Sequence, residues 1–103
     1  MYKLVVFVPE SHLETVKNGL FALGAGKTEK YSHCCWQTQG QMQFKPLASS
    51  DPTVGEQGQL AITQEYRIEM VCEESNLQAV LQGLKWVHPY EEPAYEIYKL
   101  EQG

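Results

Sequence analysis

Apolar residues recur along this chain in two rhythms. Leu4-Val5-Val6-Phe7-Val8 is an apolar run of strand length. Tyr66, Ile68, Met70 and Cys72 recur at period two, so they share one face of another strand. After each strand the period lengthens to that of a helix. Leu13, Val16, Leu20 and Leu23 fall on one helical face, and Leu77, Val80, Leu81, Leu84 and Val87 fall on another. Ser11 and Ser75 stand where N-caps belong, with Glu14 and Gln78 three residues on, as a capping box requires. Gly24 and Gly26 are expected to stop the first helix.

The two strand–helix pairs are related to each other. Residues 10–20 align with residues 74–84 at an offset of 64, and Glu, Ser, Leu, Val, Gly and Leu coincide at six of eleven positions. Between the copies lie strand candidates over Tyr31–Gln39 and Met42–Leu47, with Gly40 suggesting a hairpin turn. Residues 48–59 form a loop by composition, and Ala94–Leu100 reads as a closing strand. Two βαβ-type halves joined by a long central hairpin predict a ferredoxin-like α+β sandwich: an antiparallel sheet with two helices on one face. Two copies are too few for a solenoid.

A length of 103 residues suits one domain. Eight basic residues against thirteen acidic ones give a net charge of -5. That disfavours nucleic acid and anionic membrane as partners, since both need clustered lysine and arginine. No apolar run is long enough to span a bilayer and no signal peptide is evident, so a cytoplasmic location is expected. The three cysteines, Cys34, Cys35 and Cys72, form no CxxC pair. They read as reduced thiols in a reducing compartment.

Three motifs bear on chemistry. Gly24-Ala25-Gly26-Lys27-Thr28 ends like a phosphate-binding loop, but Phe21 stands where that loop needs a glycine, and the segment closes a helix instead of opening one. His33 and Cys35 are two apart on an expected strand and would share a face, but two ligands fall short of the four of a structural zinc site. The densest polar cluster is His88-Pro89-Tyr90-Glu91-Glu92-Pro93. Its prolines stiffen the turn and end the helix, and His88 and Tyr90 can satisfy backbone groups there. The functional alternative is a divalent-metal or small-ligand site built on His88, Glu91 and Glu92, where carboxylates stand beside an imidazole. Residues 88–103 carry four glutamates against Lys99 alone, so a cation site is sought there first. Nothing in the chain spells out a catalytic triad or a dinucleotide fingerprint.

Taken together, Tyr31-Ser32-His33-Cys34, Gly40-Gln41-Met42-Gln43-Phe44-Lys45-Pro46, Gly55-Glu56 and His88-Pro89-Tyr90-Glu91-Glu92-Pro93-Ala94-Tyr95 resemble the small insert domain of bacterial Nif3-like proteins. These are the YqfO-type proteins often labelled GTP cyclohydrolase type 2 homologues. The resemblance runs from Tyr2 to about Leu100 and implies a PII/CutA-like fold over the single domain 1–103. In the larger proteins this module interrupts a metal-binding main domain, and here it is expected to stand alone. The di-metal ligands lie in that main domain, so the resemblance does not carry GTP cyclohydrolase activity to this chain. The His88-Pro89-Tyr90-Glu91 turn also resembles the helix exit of CutA, a trimer linked to divalent-cation tolerance. A homo-oligomer, trimer or dimer, is therefore implied, and exposed sheet edges give an independent reason for it. PII proteins bind nucleotide through basic residues on a mobile loop. Only Lys45 lies between Tyr31 and Tyr66 here, so no nucleotide is expected.

The candidate metal or ligand residues are His33, Cys34, His88, Glu91 and Glu92. Tyr31, Tyr90, Pro89 and Pro93 are the structural members of the motifs. The leading expectation is a non-enzymatic regulatory module that binds a small ligand or divalent metal. One alternative is a metal-dependent hydrolase using His33, His88 and Glu91; the other is a purely structural protein–protein interaction domain.

Overall fold

The first apolar run becomes the inner strand β1, Tyr2–Pro9, in a computed structural model that describes residues 1–101. A 3-10 turn over Glu10–His12 leads into α1, Leu13–Ala22. Then follow β2, Trp36–Phe44, and β3, Ala61–Cys72. The chain closes with α2, Glu74–Val87, and β4, Tyr95–Lys99. The sheet order is β2-β3-β1-β4 and every neighbouring pair is antiparallel, which is the predicted ferredoxin-like α+β sandwich.

Alternation along the strands gives the sheet two unlike faces. Leu4, Val6, Val8, Ile68, Met70 and Cys72 join Leu13, Val16, Leu20, Val80 and Leu84 in one buried cluster beneath the helices. The opposite face is more polar, around a fully buried Val5 on β1. There Glu69 pairs with both Lys3, at 3.5 Å, and Arg67, at 3.3 Å, and Arg67 lies over the Phe7 ring.

The sequence repeat has a packing cause. A Cβ on Gly19 would meet Val87 Cγ1 at 3.2 Å, and one on Gly83 would run into Leu23 Cδ1. Each repeated glycine thus sits where the other unit comes close, Gly19 against the end of α2 and Gly83 against the residue that follows α1. At the end of α1, Gly24 takes φ +103, its N–H bonds to Phe21 O, and Ala25 N–H bonds to Leu20 O. Those two bonds make the expected glycine stop.

Four local expectations are corrected. Neither serine caps a helix: Ser11 lies in the 3-10 turn with its hydroxyl 2.9 Å from His12 Nδ1, and Ser75 lies inside the first turn of α2. Glu14 and Glu74 in the first turns supply negative charge at those N-termini instead. Leu23 is 39% exposed and does not join the core. Tyr31–Cys35 is not strand; His33 adopts φ +58, so the alternation that would put His33 and Cys35 on one face does not apply. Gly40 is no hairpin turn. It sits in the middle of β2 opposite Glu65, and the hairpin closes through residues 45–60.

Candidate functional site

Pro89 shapes the exit from α2. The residue before a proline avoids helical geometry, and His88 accordingly turns extended, with φ -76 and ψ 136. That turn carries its ring back to β1, where Nε2–H donates to Phe7 O at 2.7 Å. Nδ1 accepts from Tyr90 N–H at 3.2 Å. The ring is thus the neutral Nε2–H tautomer with both nitrogens occupied, and it is only 5% exposed. Burial pushes its pKa below the ordinary imidazole value, against the opposing pull of the Phe7 carbonyl and Glu65.

With the backbone held this way, Tyr90 reaches β3. Its hydroxyl donates to Glu65 Oε2 at 3.0 Å, and the Thr63 hydroxyl donates to the same oxygen at 2.7 Å. Burial, reinforced by the Glu65 charge and the hydrogen bond to it, pushes the Tyr90 phenol up to about 12. Glu65 itself is 3% exposed. Its neighbour across the hairpin is Gly40, and a Cβ there would meet nothing within 4 Å, so the position directly opposite Glu65 carries no side chain.

The hairpin connection folds back on the same turn. Asp51 N–H donates to Glu91 Oε1 at 3.0 Å, and Thr53 Oγ1 donates to Pro89 O at 3.0 Å. Gly58 N–H to Pro46 O and Gln57 Nε2 to Ser50 O brace the loop internally. Between loop, turn and open sheet face lies a cleft of about 710 Å³. Phe7, Met42, Phe44, Pro46, Leu47 and Val54 give it apolar walls, while Glu65, Glu91 and Glu92 bring carboxylates. Among the described residues Lys45 is its one basic lining residue.

His33 and Cys34 lie elsewhere. Gly26 bonds through its N–H to Val71 O and through its carbonyl to Cys34 N–H, which ties this segment to the far end of the sheet. Val71 pairs with Lys3, four residues before Phe7 on β1, so the two groups are anchored at points about 13 Å apart along that strand. His33 tilts against the Phe21 ring and Cys34 Sγ faces Ser32 O. Tyr31 is exposed, and it closes a turn with Thr28. The structure therefore brings His88, Glu91 and Glu92 to one turn but leaves His33 and Cys34 outside it. Pro89 and Pro93 frame that turn, each after a trans bond. Among the described residues no three His, Cys, Asp or Glu side chains are grouped to hold a metal ion. The hydrolase trio of His33, His88 and Glu91 is not assembled. Sequence reasoning missed Glu65, because along β3 it alternates in the same way as the surface residue Glu69.

No family profile matches the chain. Individual proteins do. A GTP cyclohydrolase 1 type 2 homolog from Halalkalibacterium halodurans is 41% identical over 97% of this chain, and the Bacillus subtilis protein of that description is 43% identical over the same share. The chain spans about a quarter of the length of these relatives, 27% in each. Among solved structures, a Bacillus cereus protein related to NIF3 superposes with a TM-score of 0.83 at 39% identity, over 98% of this chain and 26% of that one. The divalent cation tolerance protein CutA from Archaeoglobus fulgidus superposes with a TM-score of 0.71 at 15% identity, over 100% of this chain and 87% of that one, a likeness of fold. The chain is thus homologous to one domain-sized stretch of the Nif3-related GTP cyclohydrolase 1 type 2 homologues, and it folds as CutA does.

Proposed function

We propose that this chain is a non-enzymatic regulatory module that binds a small ligand in the cleft between residues 45–54 and the His88–Pro93 turn, and that it acts as a homo-oligomer. The observation that carries the reading is the cleft itself: concave, mostly apolar and lined by a few convergent polar groups. The ligand form of the reading has more support than the metal form, because both nitrogens of His88 are spent within the fold.

Support for self-association comes from the sheet edge. Strand β2 presents nine uncharged residues, Trp36–Phe44, with one backbone edge unpaired by this chain. The other edge strand, β4, carries Glu96 and Lys99. Charged residues protect an edge against pairing, and β2 lacks them.

The test is a screen of neutral, cationic and anionic fragments against the 15N-labelled protein. Shifts centred on Met42, Phe44 and Tyr90, lost in Phe44→Ala, are the expected result. Shifts confined to other surfaces, or none at all, would overturn the reading.

A further inference from the structure

The cleft has a charge requirement as well as a shape. Glu65 is a buried carboxylate with no counter-ion: the ion pairs among the described residues join Lys3, Lys17 and Arg67 to Glu14 or Glu69. Its Oε2 is satisfied twice, by Tyr90 and Thr63. Its Oε1 accepts no hydrogen bond among the described residues, yet the side-chain oxygens and nitrogens fully closed to solvent all have partners. Oε1 therefore retains access to solvent, and the solvent-filled space that Glu65 lines is the cleft. Taking a carboxylate out of water without an opposite charge beside it is costly even when it is hydrogen-bonded, so a cation arriving there is favoured.

We propose that the cleft is selective for an organic cation: an ammonium group that reaches Glu65 Oε1, carried on an apolar body that fills the space between Phe44, Met42 and Leu47. This rests on the cleft reading above and names its ligand class. Glu91 and Glu92 on the rim add negative potential against the single Lys45. The apolar walls decide between an organic cation and a bare metal ion. A hard divalent ion takes six or more oxygens, many of them water, and gains nothing from Phe44 or Leu47. An alkyl or aryl ammonium uses both features, and an aromatic ring such as Phe44 can also face the cation. Nucleoside phosphates carry the opposite charge and would be repelled from the same cleft.

Three near-isosteric probes test this at pH 7.5: 2-phenylethylamine, 2-phenylethanol and 3-phenylpropionate, each titrated into the 15N-labelled protein. The amine is expected to bind at least about tenfold more tightly than the alcohol, with the propionate weakest. Glu65→Gln is expected to erase the advantage of the amine while leaving the alcohol within about threefold. The ranking in the wild-type protein decides the matter even if that variant does not fold, and Glu92→Gln, an exposed change, should weaken the amine by a smaller factor. Equal binding of the three probes, or a preference for the propionate, would sink the cation assignment while leaving the cleft as a ligand site. Absence of binding by all three would remove both.

Discussion

The Tyr90 hydroxyl donates to the buried Glu65 carboxylate at 3.0 Å, joining the exit of α2 to the middle of β3 across twenty-five residues of sequence. Replacing Tyr90 by Phe removes one of the two hydroxyls that solvate Glu65. A lost hydrogen bond to a charged, buried group costs about 1–3 kcal/mol. Urea denaturation of Tyr90→Phe should show that loss. Ultraviolet titration gives a separate reading: the wild-type protein should show a phenolate step near pH 12 that is missing from the variant.

His88 makes stability depend on pH in one direction. Its folded pKa lies below the unfolded value of about 6.5 because burial disfavours the imidazolium. Below that value the unfolded chain binds the proton that the folded chain resists. The His88 contribution is thus complete above about pH 6.5 and is lost as pH falls toward the folded pKa. Denaturant midpoints measured from pH 7.5 to 5 should fall in the wild-type protein. In His88→Gln the curve should start lower and be flatter over that interval.

Two glycines should respond in opposite ways. Gly26 has φ +72, and a Cβ there would meet the Cys34 carbonyl oxygen at 2.7 Å and Phe21 Cε1 at 2.7 Å. Gly26→Ala should cost about 2 kcal/mol or more, because backbone strain and a backbone clash coincide. Gly40 has open space around its Cα. Gly40→Ala should change stability by no more than about 0.5 kcal/mol. Thermal or urea unfolding of the pair checks both, and a large loss at Gly40 would contradict its place in mid-strand.

Charge on the β2 edge should block assembly. Gln39 and Gln41 are exposed on that strand. Lysine at both positions introduces repulsion between paired copies, and the exposed sites leave the fold of each copy intact. Sedimentation velocity should show the wild-type protein as an oligomer and the Gln39→Lys, Gln41→Lys variant as a monomer with unchanged circular dichroism. A monomeric wild-type protein at tens of micromolar would exclude the homo-oligomer.

The α+β sandwich was readable from local pattern, because its signals lie within short windows. The period of Leu4–Val8 and Tyr66–Cys72 marks inner strands, and the copies at residues 10–20 and 74–84 mark matching helices. The chemistry of positive φ marks Gly24 and Gly26 as a helix stop. The Pro89 constraint places His88 in a helix exit, though not which atoms it meets there. Local pattern failed where one residue type fits two backbones. Gly40 suits a turn as well as an edge strand, and pairing with β3 made it strand. His33 and Cys35 alternate only if their backbone is extended, and the bonds from Gly26 to Val71 and Cys34 hold that segment in a turn instead.

The candidate site divided along the same line. The sequence alone marked the His88–Pro93 turn, since prolines and clustered polar residues are visible without any partner. It could not mark Glu65, whose alternation is that of any surface glutamate. Only when the 45–60 loop and Tyr90 fold over the open face does that carboxylate become buried, doubly hydrogen-bonded and without a counter-ion. The physical reason is range. Periodicity and turn chemistry act within a few residues, whereas desolvation of a side chain is imposed by whatever remote segments close around it.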